Sequence, residues 1–224
     1  MKLLALDTAG PSCSVALLTD AGLVESEIQA ERVHAETVLP MVEKLLTEAG
    51  LKLAELDALA FGRGPGAFTG LRVAASVAQG LAYGAKLPVV PVSNLAALAA
   101  AAHTRHGAGR ILACLDARMQ EVYWAAYGLK GDSLEPLSPE CLSPPSDLLA
   151  PTDGPWFGAG SGWAAYPEAL KARIPGLKGL DATLVPKAGD IARLAYKAFK
   201  AGSTVVPEQA LPVYLRDKVA TPKL

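Results

Sequence analysis

The sequence lacks a strong charge of either sign, a cysteine framework and a long apolar run. Lys and Arg total 21 against 22 Asp and Glu, so the formal net charge is −1. Nucleic-acid affinity comes mainly from Lys and Arg on phosphates, so a chain without a basic excess is not expected to bind nucleic acid strongly by itself. The three cysteines, Cys13, Cys114 and Cys141, form no C-x-x-C pair, which argues against a disulfide framework and a zinc site.

The apolar runs are all far shorter than the roughly 20 residues that a helix needs to cross a bilayer. The first one, LLAL, ends at Asp7 and is too short for a secretory signal. We therefore expect a cytoplasmic protein that does not contact a membrane. With 224 residues, 51% of them hydrophobic and 19% charged, the chain is expected to fold as one large domain or two small lobes.

The order of the predicted elements indicates an α/β fold. Three consecutive strands, at 2–7, 12–19 and 22–29, precede a helix near 35–49. Strands then alternate with helices, and one of these helices covers about 70–83. Three antiparallel strands followed by such alternation is the ribonuclease-H-like order, with a mixed sheet.

A second lobe is predicted after the stretch RHGAGR at 105–110. The following segment, ILACLDARMQEVYWAAY, resembles LLALDTAGPSCSVALL near the start of the chain, which indicates an internal duplication. We predict an N-terminal lobe at 1–104 and a C-terminal lobe at 105–224 that ends in an extended tail. In the C-terminal part, the region 129–155 is rich in Pro and Ser and is predicted to be mostly loop, and a helix is predicted at 189–201.

The stretch GPGAFTGLR leads from a predicted strand into an alanine-rich helix, which is the layout of a phosphate-binding loop. A Walker loop requires Lys and then Ser or Thr after its last glycine, but Leu71 and Arg72 stand there. Gly64, Gly66 and Thr69 can still offer backbone amides and a helix cap to an anion. Turn formation alone accounts for the same residues equally well.

Two aspartates end equivalent predicted strands. Carboxylates in the positions of Asp7 and Asp116 often meet magnesium in two-lobed phosphotransfer folds. A lone Asp at a strand end more often forms a turn. Together with the glycine loop, the two aspartates keep open the function of an independent nucleotide-dependent enzyme.

Two helices of the N-terminal lobe have faces that suit contact with another helix. Gly70, Ala74, Ala78 and Ala82 recur every four residues and form a stripe of small side chains, which allows close approach. The helix near 35–49 has an apolar arc of roughly 160°, wider than a single sheet contact requires. The lobe's own sheet accounts for the stripe as well as a partner does, and another helix of the same chain accounts for the wide arc.

A metal site is not completed on the first of these helices. His34 falls on the apolar face, but Val38 stands one turn later, so the pattern H-x-x-x-H is absent. No catalytic set of the Ser-His-Asp or Cys-His kind stands out. We predict no metal and no catalytic residue.

Several stretches together resemble the TsaB (YeaZ) family over nearly the whole chain. They are LALDTAGPSCSVALL, HAETVLPMV, GRGPGAFTGLRVAASVAQGLA, PVVPVSNLAALA, LDARMQEVYWAAY and ALPVYLRDKVA, and the blocks GPGAFTGLR and HAETVLP are the most specific. The resemblance implies two ribonuclease-H-like lobes of the actin-like ATPase fold. It also implies paralogy to TsaD, the catalytic subunit once described as a glycoprotease, whose metal is held by an H-x-x-x-H motif.

From this resemblance we expect a non-catalytic scaffold subunit of a tRNA-modifying complex. That complex transfers a threonylcarbamoyl group to the adenosine next to the anticodon, in tRNAs that read codons beginning with adenosine. The expected partners are a TsaD-like catalytic subunit and a TsaE-like ATPase, with a homodimer in isolation and tRNA met only through the complex. The subunit is expected to require no cofactor, with ATP or ADP and magnesium as candidates for the interface of the complex.

The resemblance also implies that the two helices of the N-terminal lobe form the dimer contact. The residues expected there are His34, Val38, Met41, Val42, Leu45, Gly70, Leu71, Ala74, Ala75, Ala78 and Ala82. The rival function is an independent nucleotide-dependent or glycoprotease-like enzyme of the same superfold. A third reading, direct tRNA binding by this chain, is disfavoured by its charge balance.

Overall fold

The computed structural model describes residues 1–29, 34–131, 133–151 and 154–216, with the backbone alone at His34. The strands are Leu3–Asp7 (β1), Ser12–Thr19 (β2), Gly22–Gln29 (β3), Ala58–Gly64 (β4), Val89–Ser93 (β5), Arg110–Asp116 (β6), Val122–Lys130 (β7), Ser133–Pro136 (β8), Cys141–Ser143 (β9), Trp156–Ala159 (β10) and Leu177–Asp181 (β11). The α-helices are His34–Glu48 (α1), Phe68–Ala85 (α2), Asn94–His106 (α3), Gly162–Ala165 (α4), Pro167–Arg173 (α5) and Ala188–Lys200 (α6). Single 3₁₀ turns lie at Leu53–Glu55, Pro145–Asp147 and Pro207–Gln209.

The first sheet has the strand order β3-β2-β1-β4-β5. Strands β1, β2 and β3 are antiparallel neighbours, whereas β1, β4 and β5 run parallel. Every residue of β1 is buried, as is expected for a central strand with helices on both faces of its sheet. The expected α/β class and ribonuclease-H-like order are confirmed.

Alternate residues of the first sheet face two different helical layers, because successive side chains of a strand point to opposite faces. Leu4 and Leu6 of β1 lie in an apolar cluster with residues of α1 and α2. Leu3 and Ala5 lie in a second cluster, which contains Ile191 of α6. Helices α1 and α2 therefore cover one face of the sheet, and α6 packs on the other.

The second sheet has the order β11-β10-β6-β7-β8, and β9 also pairs with β7. Its core contains three tryptophans, Trp124, Trp156 and Trp163, packed with residues of α5. The indole N–H of Trp163 donates to the Leu112 carbonyl oxygen at 3.2 Å, so this buried polar group is satisfied. The strands β8 and β9 lie within 129–155, where mostly loop was predicted, and β11 was not predicted at all.

The chain divides into two compact units, but not at a single boundary. One unit comprises 1–101 and 185–212, and the other comprises 102–184 together with the described tail residues 213–216. The predicted boundary after 104 is three residues away from the observed one. The prediction that 105–224 forms one lobe is wrong for 185–212. These residues belong to the first unit, because α6 buries its apolar face on the first sheet. Within the described ranges, no helix is both long and apolar enough to cross a membrane.

Candidate functional site

The glycine-rich loop between β4 and α2 packs against the turn between β1 and β2. A Cβ on Gly66 would lie 2.8 Å from the Ala9 side chain, and a Cβ on Gly70 would overlap the carbonyl oxygen of Thr8. The Thr8 hydroxyl donates to the Gly70 carbonyl oxygen at 2.6 Å. These glycines are therefore needed because two stretches of backbone approach each other too closely for a side chain.

Asp7 is the centre of a buried hydrogen-bond network at the ends of β1, β4 and β5. The Asn94 side-chain amide donates to Asp7 Oδ1 at 2.7 Å, and the Ala9 N–H donates to Oδ2 at 3.3 Å. Asn94 Oδ1 in turn accepts from the Gly64 N–H at 2.8 Å. A Cβ on Gly62 would overlap the Asp7 carboxyl, so this position also requires glycine. The network ties the glycine loop to the start of α3.

Burial sets the protonation of this carboxyl. Asp7 is only 1% exposed, and removal from water raises its pKa to about 7, against the smaller opposing effects of the hydrogen bonds from Asn94 and Ala9. Desolvation disfavours the charged form of an acid, which accounts for the direction of this shift. A carboxyl that is enclosed and hydrogen-bonded within the chain presents no oxygen to a metal ion or a phosphate.

The residues expected to contact a nucleotide do not assemble an open site. Asp7 is enclosed, and the Gly64 amide is already donating to Asn94. Thr69, the expected helix cap, lies inside α2, whose N-cap is Ala67. Gly66 is half-buried against Ala9. These groups of the single chain therefore do not fit a bound Mg²⁺ and nucleotide.

Asp116 shapes the turn that follows β6. Its Oδ1 accepts from the Arg118 N–H at 2.9 Å and from the Tyr166 hydroxyl at 3.4 Å, and its own N–H donates to the Ser161 hydroxyl at 3.1 Å. A carboxylate that accepts from the amide two residues later is the turn-forming use of Asp.

The metal prediction concerns the start of α1. The side chain of His34 lies outside the described part of the structure, while Val38 is fully buried. Among the described residues, no group of three or more His, Cys, Asp or Glu side chains is placed to hold a metal ion.

The expected dimer residues occupy the core of the first unit, and this assignment is corrected. Ten of them are buried within the single chain: Val38, Met41, Val42, Leu45, Gly70, Leu71, Ala74, Ala75, Ala78 and Ala82. The stripe of small residues brings α2 close to its own sheet, and the buried residues of the α1 arc pack on both the sheet and α2. A side chain that is already covered in the single chain has no surface left for a second subunit.

The opposite face of α2 carries a second row of small residues, which the sequence analysis missed. Ser76, Gly80 and Gly84 are exposed and recur every four residues, and a Cβ added to either glycine would meet no atom of the described part of the chain within 4 Å. Two exposed aromatic residues flank this row, Phe68 at 43% and Tyr83 at 70% exposure. This outer face of α2 is suited to close approach of another helix.

An open groove lies at the N-terminal end of the outer face. It has a volume of about 380 Å³ and is lined by Ala35, Phe68, Thr69, Arg72, Val73, Ser76 and Val77. The Arg72 guanidinium lies 3.9 Å from the centre of the Phe68 ring, a cation–π distance. The signal for this face was in the sequence, because Thr69 and Arg72 mark its polar side whereas Leu71 and Ala75 mark the buried one.

Comparison with known proteins places the whole chain in one family. Residues 24–221 match the family model described as TsaD, tRNA N6-adenosine threonylcarbamoyltransferase. The TsaB protein of Escherichia coli is 44% identical, in an alignment that covers 100% of this chain and 98% of that protein. The TsaB protein of Haemophilus influenzae is 40% identical, with coverage of 100% and 97%.

A solved structure agrees with the sequence relatives. YeaZ from Pseudomonas aeruginosa superposes with a TM-score of 0.90 and is 48% identical, covering 96% of this chain and 99% of that one. Fold, length and sequence therefore agree along the whole chain. The chain belongs to the TsaB family of tRNA threonylcarbamoyladenosine biosynthesis proteins.

Proposed function

We propose that this chain is a non-catalytic scaffold subunit of a cytoplasmic threonylcarbamoyl-transfer complex. The complex modifies the adenosine next to the anticodon in tRNAs that read codons beginning with adenosine. Catalysis belongs to a TsaD-like partner, and a TsaE-like ATPase is the third component. The chain alone forms a homodimer, meets tRNA only within the complex and needs no cofactor of its own. Any ATP or ADP with magnesium at the interface of the complex is held mainly by groups of the partner.

The enclosed state of Asp7 supports an accessory function. An enzyme of this superfold that uses a nucleotide needs a carboxylate open to the metal. Here the carboxyl lies 2.7 Å from the Asn94 amide with almost no exposed surface, and burial favours its neutral form. The absence of H-x-x-x-H at 34–38 supports the same reading. No observation on the described residues favours the rival function of an independent enzyme.

The outer face of α2 is the observation that carries the scaffold proposal. Its row of Ser76, Gly80 and Gly84 is exposed, although glycine in a helix interior is destabilising by roughly 1 kcal/mol relative to alanine. Among the described residues, no atom lies within 4 Å of a Cβ added to Gly80, so packing of this part of the chain does not require glycine there. A partner helix that approaches closely accounts for both glycines and for the neighbouring Phe68 and Tyr83.

Reconstitution of the tRNA modification tests this proposal. The chain, the catalytic subunit and the ATPase are mixed with unmodified tRNA, threonine, bicarbonate, ATP and the enzyme that makes the threonylcarbamoyl donor. We expect modified adenosine to form with the wild-type chain and to fall to background when the chain is omitted. Gly80→Arg is expected to reduce the yield at least tenfold, because a long charged side chain then stands between the two helices.

The matched control is Gly109→Arg, which makes the same change at an exposed glycine of the second unit that also has open space around it. It is expected to support full modification. Full activity of the catalytic subunit without this chain would refute the scaffold proposal. Full activity of Gly80→Arg would instead show that the partner does not bind at the outer face of α2.

A further inference from the structure

The first turn of α6 is fastened to the first sheet by polar side chains of the strands. The Ala188 N–H donates to the Ser14 hydroxyl of β2 at 2.9 Å, and the Gly189 N–H donates to a carboxylate oxygen of Glu25, on β3, at 2.6 Å. Amides in the first turn of a helix have no carbonyl partner within that helix. The N-cap residue, Lys187, does not cap the helix with its side chain. The sheet therefore supplies the cap of α6.

A second acidic group lies beside this cap. Asp190 is the next residue of α6 after Gly189, and it is only 8% exposed. Its Oδ1 accepts from the Arg193 guanidinium at 3.2 Å, but the Arg193 side chain is 52% exposed, so water screens this pair. The Glu25 and Asp190 carboxyl groups thus share the start of one helix.

The strands that α6 contacts bring few other charges to its start, within the described part of the chain. Lys187 pairs with Glu27 of β3 at 2.5 Å. Asp7, at the end of β1, is enclosed in the network with the glycine loop. On β4, Arg63 has the alternate spacing of Phe61, which packs on the sheet face that α1 and α2 cover. Strands β2 and β5 contain no charged residue. The acidic groups of the first turn are therefore balanced mainly by one half-exposed arginine.

Burial dominates the protonation of Asp190. Removal from water raises its pKa to about 6; the positive charges of Arg193 and Lys187 oppose this rise, and the Glu25 carboxylate adds to it. An acid with a raised pKa binds its proton more tightly in the folded state than in the unfolded state. Its contribution to stability is fully present below the unfolded-state pKa of 3.8 and is lost as the pH rises through about 6.

We propose that Glu25 and Asp190 form a proton-sensitive clasp, which fastens the start of α6 to β3 more tightly in acid than at neutral pH. With Asp190 protonated, the Glu25 carboxylate accepts from the Gly189 N–H without a like charge beside it. With Asp190 ionised, two carboxylates share the helix start and one of them is buried, which favours opening of the first turn. The clasp lies where the chain enters the first unit for the second time, near 185, so it controls how firmly α6 covers the first sheet.

Hydrogen exchange of backbone amides tests the clasp in the purified chain, without any partner. Protection of the Ala188 and Gly189 amides, corrected for the intrinsic exchange rates, is followed from about pH 5 to about pH 7.5. In the wild type we expect this protection to fall by about tenfold, because opening of the turn returns the pKa of Asp190 from about 6 to 3.8. In Asp190→Asn, which cannot ionise, protection is expected to change by less than about twofold.

Two further measurements separate the clasp from other causes. The Leu4 amide of β1, in the centre of the first sheet, reports unfolding of the whole unit. Glu25→Gln removes the like charge, so its protection is expected to fall less with pH than that of the wild type. Constant protection in the wild type, or an equal fall in Asp190→Asn, overturns the clasp. An equal fall at Leu4 and Ala188 contradicts local opening, and a full wild-type fall in Glu25→Gln contradicts the pairing of the two carboxyl groups.

Discussion

Replacement of Asp7 by asparagine tests the buried network at the end of β1. The folded-state pKa of Asp7 is raised from 3.8 to about 7 by burial. A raised acid pKa means that the folded state binds the proton more tightly than the unfolded state. The resulting stability is fully present below the unfolded-state pKa and is lost as the pH rises through about 7.

The size of this effect follows from the two pKa values. At pH 8 both states are ionised, and the linkage contribution to the free energy of unfolding is close to zero. At pH 5, about two pH units below the folded-state pKa, Asp7 is protonated in the folded state and mostly ionised in the unfolded state. This difference contributes about 3 kcal/mol to the free energy of unfolding. Asp7→Asn removes the titrating group. The substitution also changes the hydrogen bond that the Ala9 N–H donates to Asp7 Oδ2 at 3.3 Å, but the energy of that change does not depend on pH.

Urea unfolding of the wild type and of Asp7→Asn at several pH values between 5 and 8 measures this difference. The stability of the wild type relative to the variant is expected to fall by about 3 kcal/mol as the pH rises. The other titrating groups are common to both proteins, so their contributions cancel in the difference. A relative stability that stays constant within about 0.5 kcal/mol over this range would refute the claim that Asp7 is buried and shifted.

Two further substitutions test the packing of the first unit. Ala78 has no exposed surface, so Ala78→Arg places a charge in the core between α2 and the sheet and is expected to destabilise the chain by about 3 kcal/mol or more. A thermal unfolding midpoint equal to that of the wild type would contradict the burial of the row that contains Ala74 and Ala78. Glu25→Gln removes the charge that accepts from the Gly189 N–H at 2.6 Å at the start of α6, and is expected to lower the free energy of unfolding by about 0.5–1 kcal/mol. The same change at exposed Glu43 is the control for urea unfolding, and equal effects at both positions would contradict stabilisation of the start of α6 by the Glu25 carboxylate.

The first unit shows how far periodicity predicts the contacts of a helix. The bounds of α1 were predicted within one residue and those of α2 within two, because both helices have strong apolar periodicity. The sequence left open whether the row Gly70, Ala74, Ala78 and Ala82 packs on its own sheet or on a partner, and the resemblance assigned it to the partner, whereas the structure buries it against the sheet. The four-residue spacing of Ala74 and Ala78 recurs at Ser76 and Gly80, and spacing alone does not say which row meets its own sheet. The adjacent residues Leu71 and Arg72 do distinguish the two sides, because apolar Leu71 lies on the buried side of α2 and charged Arg72 on the exposed side.

Long-range contacts explain the rest of what the sequence did not predict. Asn94 binds Asp7 across 87 residues of chain, and no local pattern links the two. Helix α6 was predicted, but its packing on the first sheet was not. That packing depends on which apolar surface of the folded chain receives Ile191, and the local sequence does not encode this. The strands β8, β9 and β11 are three to five residues long, and the first two lie among prolines, so their pairing with longer strands decides their structure.

Affinity for the catalytic subunit tests the central claim most directly. Wild-type chain, Gly80→Arg and Gly109→Arg are each titrated into the purified TsaD-like subunit in a calorimeter, after thermal unfolding has shown that all three are folded. Binding through the outer face of α2 predicts that Gly80→Arg loses at least about a hundredfold in affinity, or about 2.7 kcal/mol, while Gly109→Arg binds like the wild type. Equal affinity of all three proteins for the catalytic subunit would contradict the claim that this face holds the partner.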